Sequence, residues 1–371
     1  MPASFRVGVI GFAHMHVNEL MRVFSQLSNI VWVACADTIP TTPEKVNARF
    51  TRGWNLQHAL TDVGIPRSYT DYRQMLERER FDILLFCPEN ARHGEVAEAI
   101  AGHGAHMITE KPMAASLAEA QRMVEAASNA GVRLAINWPI TWSPAVRTAK
   151  RVIDEGIIGR PLEVKWRGGS RGPLSHGSTH PGIEGTAVEM TDEERGATWW
   201  YQASAGGGAL LDYCCYGACL SQWYLGDQAL DAFGLRVNLN SPYGDADDNA
   251  IISVRFPHAI GLIEATWTTV DHGITSGPII YGETGTLVVD RAAGQQQLRL
   301  LRGGGQPAEI LPLDPLPPGR TTLAEEFVHH LTTGEALHPT LEPPFNLRAM
   351  AILDAGIRSA QSGQREGVAQ I

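Results

Sequence analysis

Short apolar segments alternate with longer amphipathic ones over residues 1–136, and this alternation limits the possible folds more than any other feature of the sequence. The apolar segments, each predicted to be a buried strand, are 5–10, 30–36, 82–87, 106–109 and 132–136. The segments predicted to be helices are 17–27, 70–80, 93–103 and 117–130, the last of them capped by Ser116. Strands that are joined through helices pair in parallel within one sheet. Residues 1–136 are therefore predicted to form a doubly wound α/β domain of the Rossmann type.

The character of the sequence changes after about residue 137. A predicted helix (144–155) and a predicted strand (162–167) lead into residues 168–208, which are rich in Gly, Ser, Thr and His and are predicted to form a long irregular loop. Loops of this length are usually functional. Further β-type segments follow at 232–239, 250–256, 261–270, 278–281, 286–289 and 297–301, and two helices at 322–331 and 346–361. Because no helical stretch separates those strands, residues 137–371 are predicted to form a second, α+β domain around an open, mostly antiparallel sheet.

Charge and hydropathy exclude several classes of protein. The formal net charge is −10 and no run of five like charges occurs, so we expect no nucleic-acid partner. No stretch approaches the roughly eighteen apolar residues of a membrane-spanning helix. The first fifteen residues also lack the long apolar region and the cleavage site of a secretory signal. We therefore expect a cytoplasmic protein with no membrane partner.

The five cysteines are predicted to be reduced and buried. Cys35 and Cys87 lie in predicted strands, and Cys214, Cys215 and Cys219 lie in an apolar stretch. Small buried thiols are the expected interpretation of such positions, rather than disulfides or a metal-binding pair.

The turn after the first predicted strand has the context of a dinucleotide-binding fingerprint. The expected pattern is Gly-x-Gly-x-x-Gly, and the chain has Gly11-Phe12-Ala13-His14-Met15-His16. Ala13 still lets backbone N–H groups approach a pyrophosphate, whereas His16 must change how the helix packs on the strand. Two histidines at this spacing are interpreted as packing or phosphate contacts, so we expect no metal site.

Asp37 strengthens the nucleotide interpretation. It ends the second predicted strand, where an acidic residue accepts hydrogen bonds from an adenosine ribose. A carboxylate there repels the additional phosphate of NADP, so NAD is the favoured cofactor and NADP the less favoured one. The alternative is an ordinary aspartate in the turn before Pro40.

Five further motifs occur in a fixed order along the chain. They are Pro88-Glu89-Asn90 with His93, Glu110-Lys111-Pro112, the segment 154–161 (DEGIIGRP), the segment 206–212 (GGGALLD) and the segment 282–287 (GETGTL). In this order they resemble the glucose–fructose oxidoreductase/inositol dehydrogenase family (Gfo/Idh/MocA) over nearly the whole chain. The resemblance implies an NAD-binding Rossmann domain followed by a substrate domain. The residues expected to contact the cofactor are Gly11, Phe12, Ala13, His14, Asp37, Pro88, Asn90, His93, Glu110 and Lys111.

Three of the residues supply the chemistry that oxidation of an alcohol needs. Lys111 follows a parallel strand, at the edge of the sheet where ligands bind. If 210–220 is a helix, Asp212 and Tyr216 lie on the same face of it. Nicotinamide would accept the hydride, Tyr216 would take the proton with the help of the Lys111 ammonium, and Asp212 would orient the substrate or the pair. Most members of the family have His in place of Tyr216, and Tyr is typical of the branch that resembles glucose–fructose oxidoreductase. The alternative for Tyr216 is a buried phenol with a structural hydrogen bond.

The irregular loop is the expected wall of the substrate site. Its candidate contacts are His180, Trp199 and Trp200, since indole faces stack on sugar rings. Arg167 is a candidate for binding an anionic group, and Trp138 stands where the family's Asn-x-Arg-Phe motif is altered. The alternatives are a solvated arginine and surface histidines.

The favoured function is transfer of a hydride between NAD and a secondary hydroxyl or carbonyl of a sugar, a polyol or a related compound. A glycosidase that uses NAD to oxidise, eliminate and reduce again, and a sensor that binds dinucleotide and sugar without turnover, are the alternatives. The resemblance also implies a homo-oligomer, dimer or tetramer, that forms through the open face of the second sheet. Trp267 and Ile263 are the apolar residues expected on that face.

Overall fold

The computed structural model describes residues 4–270 and 277–371. The first sheet consists of six parallel strands in the order β3-β2-β1-β4-β5-β6. Its strands are β1 Phe5–Phe12, β2 Ile30–Ala36, β3 Ser68–Tyr69, β4 Ile83–Cys87, β5 His106–Glu110 and β6 Leu134–Asn137. The strand order reverses between β1 and β4, and ligands bind to open α/β sheets outside the carboxyl ends of the strands at such a reversal. The predicted Rossmann domain is confirmed.

Five helices cover the two faces of this sheet. They are α1 Val17–Ser25, α2 Arg52–Thr61, α3 Tyr72–Arg78, α4 His93–His103 and α5 Leu117–Ala130. Ser116 caps α5 as predicted, since its hydroxyl accepts a hydrogen bond from the backbone N–H of Glu119. The sequence did not predict α2, because the residues it buries are Arg52, Asn55 and Ala59, of which two are polar.

The second sheet has nine strands in the order β14-β13-β12-β11-β7-β10-β9-β8-β15. Its strands are β7 Pro161–Gly169, β8 Asp231–Val237, β9 Asn249–Arg255, β10 Ile260–Thr266, β11 Ile279–Gly282, β12 Thr286–Ala292, β13 Gln295–Leu301, β14 Glu309–Leu311 and β15 Glu366–Gly367. Among the strands so described, β7 and β10 are the one parallel pair. The predicted antiparallel sheet is confirmed.

The predicted loop 168–208 is more ordered than expected. Strand β7 continues through Gly169, a short helix occupies part of the segment, and two 3₁₀ turns follow at Trp199–Tyr201 and Ala203–Ala205. The helices of this half of the chain are α6 Pro144–Asp154, α7 Asp192–Gly196, α8 Cys215–Leu225, α9 Leu323–Thr333 and α10 Pro343–Ser362. The irregular part that remains is 170–191.

The two sheets share their hydrophobic cores. One cluster of buried side chains contains Met107 of β5 together with Ile252 of β9. In a second cluster, Leu323 and Phe327 of α9 pack against Leu20 of α1, so the carboxyl-terminal part of the chain returns to the first sheet. This shared packing fixes the carboxyl edge of the first sheet against the second half of the chain.

The outer face of the second sheet carries apolar residues, but they are not the ones predicted. Trp267 is 3% exposed and Ile263 is fully buried, which corrects the expectation that both face outward. The outward side chains are Phe233, Leu235 and Ile251, which are 48%, 58% and 47% exposed. The side of β10 that carries Ile263 therefore faces inward, toward α8, and not outward as predicted.

The five cysteines are buried and unpaired, as predicted. Among the residues described, no helix is both long and apolar enough to span a membrane.

Candidate active site

Lys111 lies at the carboxyl end of β5 and is almost completely buried, with 2% of its surface exposed. Its ammonium nitrogen is 2.7 Å from Asp212 Oδ1 and 3.0 Å from the Asp212 carbonyl oxygen. It also lies 4.8 Å from the centre of the Tyr216 ring. Burial opposes the charge on Lys111, but Asp212 and then Tyr216 outweigh that effect and raise the pKa of the amine well above its usual value. The amine therefore stays protonated.

A π-helical turn at Leu210–Cys214 presents Asp212 to Lys111. The regular α-helix predicted for 210–220 begins only at Cys215. A wider turn of this kind releases backbone carbonyls from the usual helical ladder. The Asp212 carbonyl accepts from Lys111 and from the Cys215 thiol, and the Tyr213 carbonyl accepts from the indole of Trp166 at 3.1 Å. The irregular turn thus supplies two acceptors to the site.

Two residues that the sequence did not assign to the site position this turn. The indole of Trp267 donates to Asp212 Oδ2 at 3.1 Å, so both carboxylate oxygens of Asp212 are bound. Asp247 accepts from the backbone N–H of Leu210 at 2.8 Å and caps the start of the turn. Burial raises the pKa of Asp247 to about 6. A lone Asp and a lone Trp far along the chain carry no sequence signal for these roles.

Tyr216 is packed between two indoles. Its ring stacks on Trp166 with centroids 5.6 Å apart and meets Trp138 edge to face, also at 5.6 Å. Its hydroxyl makes no hydrogen bond to any residue that the structure describes. Burial raises the pKa of the phenol and outweighs the opposing effect of Lys111. Lys111 acts in the expected direction, since it lowers the pKa of the phenol, but its effect is smaller than that of burial.

A cavity of about 190 Å³, here called the Lys111 cavity, brings these residues together. It is lined by Lys111, Asp212 and Tyr216 on one side and by His180 and Trp200 on the other. Two predicted substrate contacts, His180 and Trp200, thus face the three candidate catalytic residues.

The other predicted substrate contacts lie elsewhere. Arg167 pairs with Glu264 and donates to Thr269 at 3.3 Å, and it does not line the Lys111 cavity. Trp138 lies behind Tyr216 and donates to Asn346 at 2.8 Å. Trp199 donates to the carbonyl of Ala13 at 2.9 Å and lies at the nucleotide turn.

Three histidines approach one another at the edge of the Lys111 cavity. The rings of His14 and His16 are 4.5 Å apart, and those of His16 and His180 are 6.0 Å apart. Burial, followed by the effects of His16 and Lys111, lowers the pKa of His14 well below its usual value and the pKa of His180 to about 3. His14 and His180 are therefore neutral at physiological pH. Among the described residues no group of three His, Cys, Asp or Glu side chains is arranged to bind a metal ion.

The turn after β1 has no room for a side chain at Gly11. Its φ is +83°, and a Cβ at this position would lie 2.5 Å from the backbone nitrogen of Pro88. Only glycine fits such a conformation without strain. Two indoles cover the turn from the opposite side: Trp199 contacts Ala13, and the Trp200 ring lies 4.8 Å from that of His14.

Asp37 directly follows β2, and one of its carboxylate oxygens is still available. Asp37 Oδ1 accepts from the backbone N–H groups of Phe12 and Thr38 and from the guanidinium of Arg52, at 2.9, 2.8 and 2.7 Å. Oδ2 accepts no hydrogen bond from any residue that the structure describes. Arg52 also pairs with Glu89 and lines a cavity of about 160 Å³ next to the turn. A glycine-only turn and a free carboxylate oxygen at the end of β2 fit the phosphates and the ribose of a dinucleotide.

Three of the remaining predicted cofactor contacts make hydrogen bonds within this edge of the sheet. The amide of Asn90 donates to the Gly206 carbonyl at 2.8 Å, which joins the β4 end to the glycine run. His93 is fully buried, and its Nδ1 lies 3.0 Å from the Met113 carbonyl. Glu110 is also fully buried and binds His16 at 3.1 Å and the Asn137 amide at 2.6 Å.

Two family models match most of the chain. Residues 5–138 match the family model for the oxidoreductase family with an NAD-binding Rossmann fold, and residues 146–288 match the model for the GFO/IDH/MocA C-terminal domain. The first domain is thus an NAD-binding domain, as the sequence predicted.

Similar proteins cover most of the chain. The 1,5-anhydro-D-fructose reductase of Ensifer adhaerens is 26% identical over 82% of this chain and 85% of its own length. The levoglucosan dehydrogenase of Pseudarthrobacter phenanthrenivorans is 28% identical over 71% of this chain and 67% of its own. The WlbA dehydrogenase of Bordetella pertussis, solved with NADH and UDP-GlcNAcA, has the same fold, with a TM-score of 0.74 and 22% identity over 99% of this chain and 100% of its own. The chain therefore belongs to the GFO/IDH/MocA oxidoreductase family.

Proposed function

We propose that the protein is an NAD-dependent dehydrogenase or reductase that acts on a secondary hydroxyl or carbonyl group of a sugar, a polyol or a glycoside. The observation that carries the proposal is the convergence of Lys111, Asp212 and Tyr216 on one cavity at the carboxyl edge of the NAD-binding sheet. The names of the relatives support the substrate class, since they describe a reductase of 1,5-anhydro-D-fructose and a dehydrogenase of levoglucosan. Trp200 adds an indole face of the kind that stacks on sugar rings.

The proposed cofactor site runs from Asp37 to Lys111. NAD bound there would supply the hydride chemistry. Gly11, Phe12, Ala13 and His14 form the turn that would contact the phosphates, and Asp37 Oδ2 would accept from the ribose. The same carboxylate favours NAD over NADP because it repels a 2′-phosphate.

Each of the three residues has a distinct proposed role. The Tyr216 hydroxyl exchanges the proton with the substrate oxygen, because it lines the cavity and has no described partner of its own. Lys111 stabilises negative charge on the substrate oxygen, and the Asp212 carboxylate stabilises the positive charge of Lys111. Asp212 fixes Lys111 and is in turn fixed by Trp267.

The test is a screen for NADH formation with a panel of sugars, polyols and glycosides, followed by Tyr216→Phe on the best substrate. We expect Tyr216→Phe to lower kcat by about 10²–10⁴-fold while leaving NADH affinity unchanged. Tyr213→Phe is the matched control, because Tyr213 lines the same cavity but its hydroxyl interacts with Ser170. Retained activity in Tyr216→Phe removes Tyr216 from the mechanism. Cleavage of a chromogenic glycoside without net NADH indicates the glycosidase alternative, and tight NADH binding without turnover indicates the sensor.

We also propose that the protein is a homodimer or homotetramer and works in the cytoplasm. The exposed side chains of Phe233, Leu235 and Ile251 on neighbouring strands β8 and β9 support an interface on the outer face of the second sheet. Five buried free thiols and an NAD-dependent reaction suit a reducing compartment.

A further inference from the structure

A second cavity adjoins the Lys111 cavity. Its volume is about 360 Å³, and it lies between α1, the carboxyl ends of β5 and β6, and the start of α9; it is here called the α9 cavity. His16 lines both cavities. The neighbouring loop residues His180 and Pro181 line the Lys111 cavity and the α9 cavity respectively. The two spaces are thus separated by one imidazole ring and one bend of the loop.

The walls of the α9 cavity are mainly apolar. Its apolar lining includes Leu20, Val23, Pro139, Trp142 and Leu323. This composition suits an apolar ring or chain and not a free sugar, whose hydroxyls would each need a partner.

The charged groups in the walls already have partners. Glu110 is bound by His16 and by Asn137, at 3.1 and 2.6 Å. Glu19 and Arg22 form a bidentate pair with distances of 2.7 and 2.6 Å. The cavity therefore offers no unpaired charge to an ionic ligand.

The loop 170–191 covers both cavities. Gly182 has a φ of +83°, and a Cβ there would lie 2.8 Å from Glu19 Oε2, so the loop rests directly on the Glu19–Arg22 pair. Two residues earlier, the His180 ring packs on Phe50 with centroids 4.7 Å apart. The same stretch of loop therefore lies beside both cavities.

We propose that the α9 cavity is a subsite for the apolar aglycone of a glycoside whose glycosyl ring lies in the Lys111 cavity. This inference rests on the proposed dehydrogenase function and specifies its substrate. The Lys111 cavity alone is smaller than a typical ligand pocket, whereas the two cavities together fall within the roughly 300–1,000 Å³ that such pockets occupy. The reaction itself is unchanged: the ring carbon would give a hydride to NAD, and its hydroxyl would give a proton to the Tyr216 oxygen after the phenol has released its own proton to solvent. The glycosidic bond stays intact.

The test compares two glycosides of the sugar that the enzyme oxidises best, one with a 4-nitrophenyl and one with a methyl aglycone. We expect kcat/KM to be roughly tenfold higher or more for the 4-nitrophenyl glycoside. Thr321→Trp, at the exposed rim of the α9 cavity, is expected to remove this advantage while leaving kcat/KM for the methyl glycoside unchanged. Thr332→Trp, an exposed position at the other end of α9 that does not line the cavity, is the matched control and should behave like the native enzyme.

Equal kcat/KM values for the two glycosides, or an equal loss for both in Thr321→Trp, would overturn the subsite and leave the dehydrogenase function intact. If no sugar, polyol or glycoside is oxidised, the proposed function fails, and calorimetric measurement of the binding of a 4-nitrophenyl and a methyl glycoside of one sugar still tests the subsite. The subsite is supported if the 4-nitrophenyl glycoside binds more tightly than the methyl glycoside and Thr321→Trp abolishes this difference. Equal binding of the two glycosides overturns it.

Discussion

The ammonium of Lys111 lies 2.7 Å from the carboxylate of Asp212, although 101 positions of sequence separate the two residues. Lys111 comes from the end of the last-but-one strand of the NAD-binding sheet, and Asp212 from the π-helical turn before α8. Both side chains are largely withdrawn from water, with 2% and 13% exposed. A charge in such surroundings is stable only with its partner in place, so this pair couples the folding of the chain to the assembly of the site.

Lys111→Met is therefore expected to affect stability as well as activity. In this variant, the Trp267 indole is the one side chain among the described residues that still donates a hydrogen bond to the Asp212 carboxylate. Because a buried charge then lacks its partner, we expect the free energy of unfolding to fall by roughly 3 kcal/mol. Turnover should fall by at least about 10²-fold, because the charge opposite the reacting oxygen is lost. Urea unfolding and NADH formation measure the two effects. Adding Asp212→Asn should restore much of the stability but none of the activity; a single variant as stable as the native protein would contradict the coupling.

Gly11→Ala tests the nucleotide turn. Gly11 and Gly64 both have positive φ, of +83° and +79°, so alanine is strained at either position by about 1 kcal/mol. A Cβ at Gly64 meets no atom within 4 Å, whereas a Cβ at Gly11 meets the backbone of Pro88 at 2.5 Å. We expect Gly11→Ala to cost roughly 1–3 kcal/mol more than Gly64→Ala in the free energy of unfolding. It should also abolish the NADH-induced change in tryptophan fluorescence, which Gly64→Ala should retain.

Much of the fold could be predicted from the sequence because strand and helix periodicities are strong in the first domain. The predicted bounds of β2 and α4 agree with the structure, since each is an apolar run or stripe with clear ends. Helix α2 was missed because its buried face is largely polar. The outward face of β10 was assigned wrongly because Ile260 and Leu262 on one side and Ile263 on the other are all apolar, so alternation alone cannot tell which side is covered.

The candidate site was predicted as a set of residues but not as a geometry. Lys111 and Asp37 could be found because each follows an apolar strand directly, and a strand end is where a Rossmann sheet binds ligands. The π-helical turn could not, since a single wide turn leaves no periodic signature. The positioning roles of Trp267 and Asp247 depend on contacts between distant segments, which one sequence does not encode visibly.

Leu235→Glu tests self-association through the outer face of the second sheet. Leu235 is 58% exposed on β8 and lies opposite Ile251 of β9. A carboxylate buried in an interface without a partner is strongly unfavourable, so we expect sedimentation velocity to show a shift from oligomer to monomer at micromolar concentration. Val31→Glu, an exposed position in the first sheet, is the matched control and should keep the native sedimentation coefficient. A native protein that sediments as a monomer would contradict the interface.

His93 is expected to make the protein less stable in acid. Its ring is fully buried, and burial lowers its pKa to about 4 despite the Met113 carbonyl and the Glu110 charge, which favour the protonated form. In the unfolded chain a histidine titrates near 6.5, so between that pH and about 4 the unfolded state binds more protons than the native state. The free energy of unfolding should therefore fall as the pH falls through this window, by roughly 3 kcal/mol for this group alone.

His93→Asn, which cannot be protonated there and can still donate to the Met113 carbonyl, should show a correspondingly weaker pH dependence in urea unfolding at pH 7.5, 5.5 and 4.5. His180 and His338 also have lowered pKa values, so the difference between the native protein and the variant is needed to isolate the contribution of His93. Parallel curves of stability against pH would contradict the prediction, since they would show that protonation of the folded His93 ring does not lower the free energy of unfolding.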